Sequence, residues 1–301
     1  MKKSSRENLK GWGILTPVFV YFALFTVVPI CMMLFMSFTS YGEVMSAGSF
    51  VTKFVGFKNY ADIFRHKEYL FSYLYTFIIA VGVVAVGMFT GFFVALALKS
   101  IKFMKGFFRT VWYVPALISA AVMSQFVKIL IEPAGIINRF VMWTGRNAIM
   151  FDQSTVWMYF WIIAIVSWQG IGGTALLFLA GLNSIGDELY EAADIDGVNP
   201  VQKLWYITLP LLKPMTGFIL ITGFMGAFNI FEPVLLISGG GPHNTTKVIL
   251  FRLYDEAFQN NKHGFTCALS FITMLIIMAL TLFNIRISDS NLYRLGGRKS
   301  A

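Results

Sequence analysis

The 34 residues from Gln153 to Gly186 read QSTVWMYFWIIAIVSWQGIGGTALLFLAGLNSIG and contain no Asp, Glu, Lys or Arg. A helix of that length can cross a hydrocarbon core, which needs about 20 apolar residues at about 1.5 Å of rise each. Five other windows are equally free of charge: Gly11 to Gly42, Tyr69 to Leu98, Thr110 to Val127, Pro214 to Phe231 and Gly264 to Ile285. They run 32, 30, 18, 18 and 22 residues, so each holds one crossing and none comfortably holds two. The expected fold is therefore an all-α membrane protein, a single domain over residues 1–301. Its six transmembrane helices are expected at about 12–38, 70–98, 109–131, 154–183, 211–237 and 264–287. Composition agrees: 57% of residues are hydrophobic, 13% are charged, and the mean hydropathy is +0.69.

A water-soluble enzyme is disfavoured, because the longest stretches between windows are about 25 to 35 residues, too short for an independent domain. The first window follows Lys2, Lys3, Arg6 and Lys10, as a signal peptide would, but it far exceeds a signal's apolar core of about 7 to 15 residues. It is read as the first span. Cys31 and Cys267 lie in apolar segments with no CxxC partner, which suggests packing and neither metal nor disulfide. His66, His243 and His263 lack mutual ligand spacing, so no metal site is expected.

An even number of spans puts both termini on one side, and Lys plus Arg in short loops selects that side. With cytoplasmic termini, the inner segments hold 14 cations in 64 residues and the outer ones 10 in 83. The cleanest witness is the loop carrying Lys99, Lys102, Lys105 and Arg109 with no acid. The net charge of +9 is thus explained by membrane lipid at the inner leaflet, and nucleic acid is not expected as a partner. The terminal tails are 1–10 and 288–301.

One inner loop breaks the pattern. Residues 184–214 read SIGDELYEAADIDGVNPVQKLWYITLPLLKP, with five carboxylates (Asp187, Glu188, Glu191, Asp194, Asp196) against Lys203 and Lys213. Asp187 is a plausible N-cap for a short helix to about Asp196, and Gly197 supplies a left-handed turn. Asn199 and Pro200 cap and start a second helix that turns Val201, Leu204, Trp205 and Leu209 to an apolar surface, before Pro210 begins the next span. Such an element either rests on lipid or docks into another protein.

Glu191-Ala192-Ala193, three residues, Gly197, nine residues, Ile207, one residue and Leu209-Pro210 resemble, position by position, the EAA motif of permease subunits of binding-protein-dependent ABC importers. The likeness extends to the motif's place between the fourth and fifth spans. Gly239-Gly240-Gly241-Pro242 followed by Thr245 looks like the carbohydrate-uptake branch, of maltose, raffinose and glycerol-3-phosphate type, in its short six-span form. The resemblance implies that residues 184–210 are a cytoplasmic coupling loop. Glu191 would contact an ATP-hydrolysing subunit, Ala192 and Ala193 would permit close approach, Gly197 would turn the chain, and Leu209-Pro210 would join the loop rigidly to span five.

It also implies a multi-pass protein of the bacterial cytoplasmic membrane, working with a second six-span permease in a heterodimer, an ATPase dimer and an extracytoplasmic substrate-binding protein. The chain would bind no cofactor, ATP and Mg being held by the ATPase subunits, and would itself catalyse no bond change. The absence of a G-x-x-x-x-G-K-[ST] phosphate loop fits that division. The expected cargo is a sugar, most simply an oligosaccharide. A non-sugar solute is the nearer alternative, and an ion-coupled carrier or a channel the more distant one, disfavoured by the scarcity of intramembrane charge.

Candidates for the substrate path are few. Asn229 and Glu232, flanked by Phe228 and Phe231, offer polar groups beside aromatic faces, a combination that suits a sugar; ordinary packing with one carboxylate at headgroup level is the other reading. A straight helix would put Glu232 roughly 28 Å above Lys213. Gln125 and Gln169 either line a polar cavity or bond helix to helix. Gly87 with Gly91, and Gly223 with Gly226, mark packing faces. Trp112, Tyr113, Trp157 and Trp161 fit interface belts, and Lys128 and Glu132 have the spacing of a helical ion pair. The Gly239 to Pro242 turn opens the outer loop expected to help dock the binding protein.

Overall fold

The computed structural model describes Trp12, residues 15–42 and residues 52–296, with backbone alone for residue 284 and residues 287–296. The expected tail 1–10 and the end of the other tail, 297–301, lie outside the described residues. The chain divides into two compact units, Met1–Lys67 with Leu253–Leu275, and Glu68–Arg252 with Ile276–Ala301. Among the described residues there is no strand pair beyond one bridge, Thr39 to Phe54.

In the first unit, α1 (Leu15–Met36) is long and apolar enough to cross a membrane. The turn after it is held by α2 (Lys58–Arg65), from which Asn59 donates to the carbonyls of Ser37 and Thr39 at 2.8 and 2.9 Å. Asn59 is buried, so these bonds satisfy both the amide and two turn carbonyls that would otherwise lack water.

The second unit is built around α3 (Lys67–Ser100) and is continued by α4 (Lys105–Leu117), α5 (Ala120–Ile131), α6 (Ile136–Trp143) and α7 (Thr155–Asn183). Next come α8 (Asp187–Ile195), α9 (Pro200–Leu211) and α10 (Lys213–Ala227). Last are α11 (Ile249–Tyr254) and α12 (His263–Gly296), both of which cross the division between units. The buried positions of α3 are Tyr69, Ser72, Thr76, Ile79, Ala80, Val84, Gly87, Gly91, Ala95 and Leu98, a seam at helical spacing. That seam is rich in small and hydroxyl residues, whereas Leu74, Phe77, Val81, Phe89 and Phe93 face outward. In lipid the outside is as apolar as the inside, so side-chain size and close backbone approach decide which face packs.

Close approach is explicit at three glycines. A Cβ on Gly172 of α7 would lie 2.4 Å from the Trp112 carbonyl oxygen and 2.7 Å from the Tyr113 Cα, where α4 crosses it. Gly91 of α3 faces Thr174, and Gly181 faces Leu212 and Met215. At one end of α3 and α7, Ala95, Leu98, Phe178, Leu179, Leu182, Ile185, Leu212 and Ile219 form a continuous buried cluster.

Among the described residues five helices meet the length and apolarity of a membrane span, and α9 with α10, bent by 64°, makes a sixth if the pair counts as one. The differences from the expected spans have local causes. The single helix expected over 109–131 is broken: Ile118 and Ser119 are extended (ψ 134° and 144°), and Ser119 caps α5 by accepting from the Val122 N–H. Pro115 lies inside α4 and removes one ladder donor just before the break. The span-length segment is instead Ala120–Trp143, across the turn between α5 and α6.

Span five starts at Lys213 and stops at Ala227, where 211–237 was expected. Fifteen residues rise only about 22 Å, and after the turn at 228–231 a short π-helix, Val234–Ser238, buries Val234 and Ile237. The straight-rise position for Glu232 therefore does not hold. The last helix continues to Gly296, through most of the expected tail. Trp112 and Tyr113 cross α7 near its middle rather than at an end, and Lys128 and Glu132 form no ion pair, Glu132 being the residue that ends α5.

Candidate coupling loop and transport path

The acidic loop folds as a pair of short helices. Gly186 precedes α8, so Asp187 is its first helical residue and not the cap; with Glu188 it places two carboxylates in the first turn, at the positive end of the helix dipole. At the other end Gly197 takes φ +72°. The Val198 N–H bonds the Ala193 carbonyl at 2.9 Å and the Gly197 N–H bonds Asp194 at 3.2 Å, the paired bonds of a Schellman stop. The second helix opens on a reciprocal capping box: the Gln202 N–H donates to Asn199 Oδ1 (2.9 Å) and the Asn199 N–H donates to Gln202 Oε1 (3.0 Å).

Two contacts tie the helices together, an ion pair between Lys203 and Asp194 and a 3.0 Å hydrogen bond between the Tyr190 and Thr208 hydroxyls. Lys99 of α3 donates to the Leu182 carbonyl at 3.0 Å and lies 4.9 Å from the Tyr190 ring centroid, fixing the root of α8. The middle of α9, Leu204–Thr208, is wound as a π-helix, and Pro210 stays within α9. The bend to α10 falls at Leu212, two residues before Pro214; Leu212 is buried in the cluster that also holds Ile185, so both ends of the loop are seated in one core. The loop leaves Glu191 and Ala192 exposed but buries Ala193 against the protein, which gives Ala193 an internal packing role. Ile207 and Leu209 are half-buried, while Ile195 (87% exposed), Val201, Trp205 and Tyr206 face outward.

A cavity of about 410 Å³ opens among α3, α7 and α10. It is lined by Gly87, Gly170, Gly173 and Gly226, none of which has an atom within 4 Å of where a Cβ would stand, and by the side chains of Ser167 and Thr222. The six residues proposed from sequence for the substrate path do not line it. Gln125 is exposed on α5. Gln169 donates to the Ile118 carbonyl at 3.0 Å, and so satisfies a group that the break between α4 and α5 leaves without a helical partner. Phe228 is buried, Asn229 bonds back to the Met225 carbonyl (2.8 Å), Phe231 lies 6.2 Å from the Phe251 ring, and Glu232 is exposed at the head of the short π-helical turn. Of the glycines read as packing faces, Gly91 packs against Thr174 and Gly223 against Val84, whereas Gly87 and Gly226 border open space.

Residues 87–290 match the family described as binding-protein-dependent transport system inner membrane component. The chain belongs to that family. Its relatives include the probable ABC transporter permease protein YesP of Bacillus subtilis, 31% identical over 96% of this chain and 94% of the relative. The arabinooligosaccharides transport system permease protein AraP of Halalkalibacterium halodurans is 32% identical over 93% and 90%. The sn-glycerol-3-phosphate transport system permease protein UgpA of Agrobacterium fabrum is 31% identical over 80% and 83%. The fold is shared with a chain of a bacterial ABC transporter involved in the import of the acidic polysaccharide alginate, at a TM-score of 0.81 and 20% identity over 96% of this chain and 98% of that one. This chain is thus the permease subunit of an ABC importer, a transport subunit and not the ATPase.

In this permease the Gly239 to Pro242 turn is the entrance to a tightly bonded loop. Gly239 and Gly240 take φ +57° and +84°, and the Gly241-Pro242 peptide is cis. Thr246, fully buried, bonds the Ser238 hydroxyl and the Gly241 carbonyl, both at 2.8 Å. Thr245 is held to α7 through the Thr155 hydroxyl (2.9 Å) and the Tyr159 hydroxyl, which donates to its carbonyl at 2.6 Å. Gly240 is itself buried, a Cβ there meeting Lys247 at 2.5 Å, so the exposed tip consists of Gly239, His243 and Asn244. Reading the sequence for charge and amides missed Gly170 and Gly173 and took Gly87 and Gly226 for packing faces. The signal was the cluster Gly170, Gly172, Gly173 in mid-span, too many helix-weakening residues for a helix that only anchors.

Proposed function

We propose that this permease subunit imports an oligosaccharide across the bacterial cytoplasmic membrane, with residues 184–210 as the cytoplasmic coupling loop and both termini on the same side. The observation that carries the reading is the loop itself: two capped helices fastened to each other, seated at both ends in one core, and exposing Glu191 beside Ile195, Val201, Trp205 and Tyr206. Exposed apolar side chains of this kind beside charged ones are what a protein partner covers. The partner is an ATPase dimer, which holds ATP and Mg, and a second permease completes the membrane assembly.

A sugar cargo is supported by the relative named for arabinooligosaccharides and by the fold shared with the alginate transporter. A cavity of about 410 Å³ falls within the range of small-molecule sites, and its glycines let a solute approach the backbone. Glu191→Ala and Gly197→Pro are expected to leave insertion intact and to lower transport and binding-protein-stimulated ATP hydrolysis at least about tenfold, the factor that about 1.4 kcal/mol of lost contact represents. Proline cannot take the positive φ of Gly197. Wild-type coupling in both variants, assayed in proteoliposomes with the ATPase and binding protein, would remove this loop from the mechanism.

The outer loop is proposed to dock an extracytoplasmic binding protein through its exposed tip. His243 and Asn244 both sit at positive φ (51° and 62°), so His243→Gly and Asn244→Gly delete the side chains while keeping the backbone relaxed. The expected result is about tenfold weaker capture of the binding protein by the assembled transporter, with unchanged thermal stability. Unaltered affinity in the double variant would assign docking to another surface.

A further inference from the structure

At the root of the coupling loop a second cavity, of about 350 Å³, is lined by Lys99, Lys105, Arg109, Asn183, Gly186 and Asp187. Three cations from the end of α3 and the start of α4 face one acid. Lys99 is already committed to the Leu182 carbonyl and the Tyr190 ring. Lys105 and Arg109, both exposed, make no hydrogen bond or ion pair among the described residues. The lining also includes Gly186 and Asp187 at the N-terminus of α8, a helix end with no side-chain cap.

We propose that this cavity binds a phosphate-bearing anion, the headgroup of an anionic phospholipid of the inner leaflet. The chemistry is that of basic pockets between spans, where a phosphate takes hydrogen bonds from Arg and Lys and faces a helix N-terminus. Asn183 supplies a further amide donor beside the cations. Bound there, the anion joins the start of α4 to the start of α8 and damps the repulsion among the cations. The inner-leaflet placement rests on the proposed cytoplasmic coupling loop. The consequence is that loop position depends on lipid charge.

Detergent-purified permease is reconstituted into nanodiscs of phosphatidylcholine containing phosphatidylglycerol, and the lipid it retains on extraction is counted by native mass spectrometry. Wild type is expected to retain phosphatidylglycerol selectively, with the loss about fivefold for each of Lys105→Gln and Arg109→Gln. Lys102→Gln removes the same charge from the same loop but does not line the cavity, and is expected to retain lipid as wild type does. A second arm adds inorganic phosphate to lipid-stripped permease in neutral detergent and reads the melting temperature. Protection by phosphate without selective lipid retention, lost in Arg109→Gln, would support the same site with a free phosphate as its source. If Lys105→Gln and Arg109→Gln match wild type in both arms, or Lys102→Gln falls as far as Arg109→Gln, the site is overturned. Because neither arm contains the ATPase, this failure is separate from that of the coupling reading.

Discussion

Gly172→Ala is expected to destabilise the permease by about 3 kcal/mol or more and to remove most of the folded protein recovered from membranes, whereas Gly173→Ala, one residue on, is expected to change stability by less than about 1 kcal/mol. The added carbon is the same in both. At Gly172 it would meet the Trp112 carbonyl oxygen at 2.4 Å and the Tyr113 Cα at 2.7 Å, and backbone of a packed helix cannot step aside as a flexible side chain can. Relief requires α4 to lift from α7, which loosens the whole crossing. At Gly173 nothing lies within 4 Å, and alanine's better helix propensity offsets the change. Thermal unfolding in detergent separates the two, and equal melting temperatures would show that the crossing is looser than its distances imply.

Gly87→Leu is expected to abolish most transport while leaving the protein folded and its stimulated ATP hydrolysis intact. Gly87 faces the 410 Å³ cavity with no atom within 4 Å of a Cβ, so the new side chain enters open space. It costs little packing strain but occupies room a solute would need, and a steric loss of about 1.4 kcal/mol or more is at least about tenfold in uptake. Uptake equal to wild type would exclude the cavity from the route. A melting temperature lowered as far as that of Gly172→Ala would mean instead that the seam of α3 closes against a neighbour.

The parts of this protein that local chemistry specifies were legible in the sequence. Charge-free windows marked the membrane helices, Gly197 marked the stop of α8, and Asn199 with Pro200 marked the start of α9, because a positive φ or a capping box is settled within a few residues. The break at Ile118 had its own local signals, Pro115 and the capping Ser119, but the unbroken apolar character of the window masked them. The end of α10 at Ala227 had only Asn229, whose amide bonds back to the Met225 carbonyl: no proline occurs between Pro214 and Pro233, and the turn buries Phe228 and Ile230.

The glycine-lined cavity was less legible than the paired helices of residues 184–210 for the same reason. Gln169 reads as a candidate substrate ligand until the carbonyl of Ile118, 51 residues away in sequence, is seen to take its proton. Gly172 and Gly173 are indistinguishable in sequence, and only the crossing of another helix makes one a contact and the other an opening.

The bend at Leu212 has a mechanical reading. A joint exposed to lipid would behave as a free swivel, and motion of α9 would be lost in its own rotation. Leu212 is instead clamped in the cluster that holds the ends of α3 and α7, so the 64° elbow behaves as a bell-crank. Under the proposed coupling, a thrust along α9 would leave the elbow largely sideways to α10, toward the glycine-lined wall that α10 shares with α3 and α7.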